Sequence, residues 1–84
     1  MPAAAEFPLA CAAVFYIAEH GANDAESAAV ANAGKRKAID AAVAAGGRRW
    51  LLDQMVPQKA RDLSNGSAAS RFTLGVKCID RYAD

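Results

Sequence analysis

The first run of apolar positions lies between Pro8 and His20, and its spacing predicts a helix. Pro8 suits the first turn of a helix, and nothing interrupts the pattern from Leu9 until Gly21, where we expect a left-handed cap. Apolar side chains cover almost the whole circumference of this helix. A helix of this kind belongs at the centre of a fold or against a partner.

A second helical pattern begins at Asn23 and runs to Ala45, before a pair of glycines. We expect Asn23 to cap this helix and Glu26 to reach back and complete a capping box. Gly34 lies in the middle of the pattern, where glycine costs about 1 kcal/mol relative to alanine. We predict one continuous helix with a weak point at Gly34, and two helices joined at 33–34 are the alternative.

The third helical pattern runs from Arg48 to Leu63, with large apolar residues at intervals of three and four. Pro57 lies inside it. A proline within a helix removes a hydrogen bond and disfavours helical geometry at the preceding residue. We therefore expect a kink at Pro57 or a break into two short helices, followed by a polar linker over 64–70.

The last segment fits two patterns. Phe72, Leu74, Val76 and Cys78 alternate as they would in a strand, whereas a helix would separate the polar and apolar residues onto opposite faces. A lone strand needs a partner, and no earlier segment alternates. We therefore predict a helix and an all-α fold, a single domain over 1–84 built as a small bundle of about four helices. The alternative is an α+β fold with a strand at 71–79.

The composition indicates that the core contains few large apolar side chains. Of the 84 residues, 22 are alanine, which favours helices but buries little apolar area. The helices therefore present more apolar surface than a core of this size is expected to bury. Surplus apolar surface usually marks an interface, so we expect the protein to bind another protein or a second copy of itself.

The net charge of +1 is too small to indicate nucleic acid or an acidic membrane as a partner. Basic residues are nevertheless concentrated in one part of the chain, at Lys35, Arg36, Lys37, Arg48 and Arg49. On a continuous helix both groups could touch a phosphate backbone. Three consecutive basic residues also spread around a helix, so a solvated face is the simpler interpretation.

The chain contains no arrangement typical of catalysis. Its single histidine, His20, and Cys11 fall on opposite faces of the first helix, although Cys78 could meet His20 through the fold. Two distant cysteines and one histidine also form no metal-ligand cluster. We therefore expect no enzymatic activity, no catalytic residues, no metal ion and no cofactor.

The uncharged stretch over 7–18 is too short to cross a bilayer as a helix. The first residues also lack the positive charges with which a secretory signal begins, so we expect no secretory signal. We therefore expect no membrane span and a cytoplasmic location. In a reducing compartment Cys11 and Cys78 would be free thiols, and a disulfide between them is the alternative.

The predicted function is non-enzymatic protein–protein binding, as an adaptor, an assembly subunit or an inhibitor. Tryptophan and arginine are enriched at interface hot spots, which indicates a partner-binding segment composed of Arg48, Arg49, Trp50, Leu51 and Leu52. The opposing interpretation is that Trp50 closes the core of this protein. The alternative function is a nucleic-acid-binding regulator that uses the basic groups at 35–37 and 48–49.

Overall fold

A computed structural model of the chain describes residues 2–83 and contains four α-helices within that range. A 3-10 turn at Ala3–Ala5 precedes α1 (Glu6–His20), α2 (Ala25–Ala44), α3 (Arg49–Ser64) and α4 (Ala68–Tyr82). The predicted all-α bundle is confirmed. No strand occurs among the described residues, so the alternative with a strand at 71–79 is wrong.

The central helix is α1, which contacts each of the other three helices and makes its largest contact with α2. The core combines small and large side chains from all four helices: Leu9, Ala12 and Phe15 of α1, Ala38, Ile39 and Ala42 of α2, Leu52 and Val56 of α3, and Cys78 of α4. Alanines on both sides of the α1–α2 contact let the two helices approach closely.

The glycine at position 34 has a packing role. As predicted, α2 is continuous through Gly34. A Cβ atom placed on this residue would lie only 2.7 Å from Cε1 of Phe15. The buried ring of Phe15 therefore occupies the space that a side chain at position 34 would need.

The cap of α2 lies one residue later than predicted. Asp24, not Asn23, is the N-cap, and its Oδ1 accepts a hydrogen bond from the backbone N–H of Ser27 at 2.7 Å. That bond holds the pKa of the Asp24 carboxyl below its ordinary value. The predicted capping box with Glu26 is therefore wrong, because the third residue after the true cap is Ser27, whose hydroxyl also donates to Asp24.

The structure differs from two further predictions, a left-handed cap at Gly21 and a break of α3 at Pro57. The first helix ends at His20 as predicted, but Gly21 has φ −94° and is not left-handed. The left-handed residue is Gly46, with φ +105°, after α2. Pro57 does not break α3. Buried residues on both sides of it, Val56 and Ala60, bind the two halves of the helix to the core.

The prediction of free thiols is wrong: Cys11 of α1 and Cys78 of α4 form a disulfide, with their Cα atoms 5.2 Å apart. Both cysteines are completely buried, and Cys78 is the only buried residue of α4. The disulfide is therefore the main attachment of α4 to the core.

A second attachment fixes the turn between α3 and α4. Nη1 of Arg71 donates to the carbonyl oxygens of Leu63, Ser64 and Gly66 at 3.1, 3.1 and 2.8 Å. The last carbonyls of a helix lack partners within the helix, and a nearby cation also favours that end of the dipole. One guanidinium group thus closes the end of α3 and positions the start of α4.

Candidate protein-binding surfaces

The predicted partner-binding segment lies at the start of α3, and the structure divides its residues between surface and core. Trp50 is 61% exposed and does not close the core, whereas Leu52 is 1% exposed and belongs to it. Leu51 is half-buried. Leu52 is therefore not available at the surface as a member of this segment, because one helical face of α3 packs on α1.

The two arginines of this segment are both exposed. Nη2 of Arg49 lies 2.6 Å from Oδ1 of Asp40, at the end of α2, and forms an ion pair there. Arg48 is the N-cap residue of α3. The exposed part of the segment is therefore Arg48, Arg49 and Trp50.

The basic residues of α2 do not form one stripe. Nζ of Lys35 lies 2.6 Å from Oε1 of Glu19 and 5.7 Å from the ring centre of Tyr16 on α1. Asn32 donates to Oε2 of the same carboxylate at 2.9 Å. The hydrogen bond from Lys35 is the main reason why the pKa of Glu19 lies below its ordinary value. Lys35 therefore joins α1 to α2.

The other two residues of this cluster, Arg36 and Lys37, are exposed. Nε of Arg36 donates to Oδ1 of Asn32 at 3.1 Å. Because Lys35 and Arg49 each pair with a carboxylate, the predicted nucleic-acid-binding set offers less positive potential than its sequence suggests.

A third surface, which was not among the predicted site residues, is the outer face of α4. Phe72, Val76 and Ile79 are 73%, 52% and 57% exposed and lie at positions i, i+4 and i+7 of one helix. We call these three residues the α4 stripe. The helix turns a neighbouring face inward, on which Leu74 and Tyr82 pack beside Cys78. Within residues 2–83, no element therefore covers the α4 stripe.

An apolar groove with a volume of about 660 Å³ lies between α4, α1 and the start of α2. Val14 and Ala18 of α1 form part of its lining, together with the exposed Val30 of α2 and Ile79 of the α4 stripe. A second depression of about 390 Å³ shares Val14 and Ala18 and extends to Phe72. The two depressions are neighbours that share these α1 residues, and each is lined by one end of the α4 stripe, Phe72 or Ile79. We call the two depressions together the α4 groove.

Charged side chains stand at the two ends of the α4 groove. Asp24 and Glu26 line the end near Ile79, and Arg71 lines the end near Phe72. The apolar centre of the groove thus separates an acidic end from a basic end.

The residues considered for catalysis have other partners. Nδ1 of His20 lies 2.9 Å from the carbonyl oxygen of Tyr16, and the two rings pack with centres 4.0 Å apart. Cys11 and Cys78 are bonded to each other, so His20 has no thiol to activate. Within residues 2–83, no three side chains of His, Cys, Asp or Glu come together in a way that could hold a metal ion.

None of the four helices in the described part of the chain is both long enough and apolar enough to cross a bilayer. In comparisons with known proteins, no family model, no curated protein and no solved structure matches the chain. The candidate surfaces are therefore argued from the geometry and chemistry of this chain alone.

The α4 stripe has a signal in the sequence. The spacing of Phe72, Val76 and Ile79 defines an apolar helical face. What the spacing does not reveal is the rotation of α4, because Cys78, on a neighbouring face, is bonded to α1.

Proposed function

We propose that this is a non-enzymatic protein that acts by binding another protein chain, as an adaptor, an assembly subunit or an inhibitor. The observation that carries the proposal is the α4 stripe, three large apolar side chains exposed in a row beside an apolar groove. Leaving such a patch in water is unfavourable, and contiguous exposed apolar patches usually mark interaction sites.

The shape of the surface favours a helix as the bound element. A stripe at i, i+4 and i+7 beside a groove matches the way an amphipathic helix lays its apolar face against another helix. The helix α4 is 15 residues long, or about 22 Å. A partner helix of similar length would cover Phe72, Val76 and Ile79 together.

The segment at the start of α3 is the second candidate surface for the same function. Trp50 and Arg48 are exposed there, and both residue types are frequent at hot spots. We rank this segment below the α4 groove because Leu52 is buried and Arg49 is already paired with Asp40.

Nucleic-acid binding through Lys35, Arg36 and Lys37, with Arg48 and Arg49, stays the alternative function. Lys35 and Arg49 of this set are each held in an ion pair at 2.6 Å within residues 2–83. The loss of free positive charge weakens contact with a phosphate backbone, on which such binding mainly depends. We therefore rank it below protein binding.

The disulfide changes the compartment that we propose. Disulfides persist in oxidising compartments and are rare in the cytosol, and the bond between Cys11 and Cys78 is completely buried. We therefore propose an oxidising location in place of the cytoplasmic one predicted from the sequence. Trapping free thiols at lysis of the native host tests this, since a reduced Cys78 in the native protein would favour the cytoplasm.

The function is tested by comparing two single variants that each add one carboxylate to α4. Phe72→Glu places it in the α4 stripe, and Thr73→Glu places it at the adjacent exposed position outside the stripe. We expect quantitative mass spectrometry of the purified complexes to find one set of protein partners with the native chain and Thr73→Glu. That set should be lost with Phe72→Glu.

Two other results would contradict this assignment. Partners retained by Phe72→Glu and lost with Trp50→Ala would move the binding site to the start of α3. Recovery of nucleic acid alone, with loss of that nucleic acid on Arg36→Glu, would establish the alternative function.

A further inference from the structure

The two ends of the α4 groove carry opposite charges, and this pattern indicates which partner the groove could bind. Its basic end is formed by Arg71, its acidic end by Asp24 and Glu26, and its centre is apolar. If a second copy of the groove is turned end to end against the first, each basic end faces an acidic end. A patch that binds its own copy about a two-fold axis must be self-complementary in this way.

The side chains of α4 are also self-complementary in the antiparallel direction. When two α4 helices run antiparallel with Gly75 of one opposite Val76 of the other, Phe72 of each lies opposite Ile79 of its partner. Each contact then occurs twice, as a two-fold axis requires. The three residues of the α4 stripe are all covered in this single register.

The glycine at the centre of this register has no packing role inside the chain. A Cβ atom added to Gly75 would meet no atom within 4 Å, whereas one added to Gly34 would collide with Phe15. Glycine inside a helix costs about 1 kcal/mol relative to alanine. A close approach by Val76 of a second helix gives Gly75 the packing role that Gly34 has in α2.

We propose that the occupant of the α4 groove is the α4 helix of a second copy of this chain, paired antiparallel about a two-fold axis. This inference rests on the proposed function and names the partner of the same surface. The charge pattern of the groove, the Phe72–Ile79 register and the open space at Gly75 support it.

The size of the contact determines how strong the pair is. One pair of 15-residue helices covers much less than the standard interface of about 800 Å² per partner, so the total falls below about 1,200 Å². Interfaces of that size belong to weak, reversible complexes. We therefore expect a monomer–dimer equilibrium with a dissociation constant in the micromolar range, about 1 to 100 μM.

The experiment is sedimentation velocity from about 1 to about 500 μM, a range that covers this equilibrium, on the native chain and two variants. Phe72→Glu and Ile79→Lys each place a charge against an apolar partner residue. Each variant alone should raise the dissociation constant at least tenfold, about the effect of losing one buried apolar side chain. Thr73→Glu, outside the α4 stripe, should dimerise like the native chain.

Mixing the two variants tests the antiparallel register. In the proposed pair, position 72 of one chain faces position 79 of the other, so a mixed dimer contains one opposite-charge contact and one native Phe72–Ile79 contact. We expect the 1:1 mixture to dimerise more tightly than either variant does alone. A parallel pair would place position 72 against position 72, and mixing would give no recovery.

The outcomes separate this inference from the proposed function. A native chain that stays monomeric at every concentration overturns the second copy as the occupant. If Phe72→Glu then still loses a different protein partner, the proposed function survives that result. A native dimer that neither variant weakens overturns the α4 groove as the contact, and a dimer without recovery on mixing overturns the antiparallel register.

Discussion

The contact of α1 with α2 and the attachment of α4 show two ways of holding helices together in a chain with few large side chains. Between α1 and α2, alanines and Gly34 allow close approach, and Phe15 fills the remaining space. The attachment of α4 depends on one buried residue, Cys78, on the half-buried Leu74 and Tyr82 beside it, and on the contacts that Arg71 makes with the end of α3.

The comparison teaches that an apolar face alone does not determine which side of a helix is buried. The α1–α2 contact is continuous and is held by packing, supported at its edge by the Lys35–Glu19 ion pair. The disulfide at Cys78 orients α4 so that Phe72, Val76 and Ile79 face solvent. The packed contact between α1 and α2 and the proposed binding surface on α4 thereby lie in different regions of the same small bundle.

The largest expected difference is between two phenylalanines. Phe15→Ala should lower the free energy of unfolding by about 3 to 5 kcal/mol, because it empties the buried space beside Gly34. Phe72→Ala should change it by less than about 0.5 kcal/mol, because Phe72 is exposed. Urea unfolding followed by far-ultraviolet circular dichroism measures both, at concentrations where the chain is monomeric. Equal losses would show that α4 is as firmly packed as α1.

Removing the disulfide should have the next largest effect and should act on α4 first. The double variant Cys11→Ala and Cys78→Ala should lose about 2 to 4 kcal/mol of stability, since the bond closes a long loop in the unfolded chain. Amide hydrogen exchange of the variant should accelerate in α4 more than in α1 and α2. Uniform acceleration over all four helices would contradict the separation of the two regions.

The two helical glycines should respond to alanine in opposite directions. Gly34→Ala should destabilise the chain by about 1 to 3 kcal/mol, because the new methyl group collides with the ring of Phe15. Gly75→Ala should stabilise the monomer by about 0.5 to 1 kcal/mol, since it improves helix propensity in open space. Thermal unfolding of both variants checks the signs, and a stabilising Gly34→Ala would disprove the close contact.

The smallest expected effect is a loss of stability in acid, caused by the Lys35–Glu19 ion pair at the edge of the α1–α2 contact. Because the pKa of Glu19 is lowered in the fold, mainly by Lys35, the unfolded chain binds more protons in the acid range. The resulting stabilisation is complete above the ordinary value of 4.5 and is lost as the pH falls through the lower pKa of the folded state.

The measurement is the free energy of unfolding against pH for Glu19→Gln and for a control, Asp40→Asn. Glu19→Gln should flatten the acid side of the profile, by less than about 1 kcal/mol because the pair is partly exposed. Asp40→Asn breaks the more exposed pair with Arg49 and should change the profile less. A profile of Glu19→Gln that parallels the native one would exclude the proposed role of Lys35.

Local patterns were sufficient to predict the four helices, the end of α1 at His20 and the continuity of α2. They failed where two local solutions differ by one residue, as at the cap of α2, where both Asn23 and Asp24 are good caps. They also failed in the expected break at Pro57, where tertiary packing on both sides keeps α3 continuous.

The candidate surfaces were harder to predict because they depend on rotations of helices about their axes. The exposure of Trp50 and the burial of Leu52 follow from the face of α3 that contacts α1. The exposure of the α4 stripe follows from the pairing of Cys11 with Cys78, two residues 67 positions apart. No local pattern contains information about that pairing.

The bond between the first and last helices makes most of the chain a covalent macrocycle. All three connections between helices lie within the ring that runs from Cys11 to Cys78. A protease that cuts any one of these connections therefore opens the ring without releasing a fragment. The cleaved protein keeps both pieces attached until a reductant separates them.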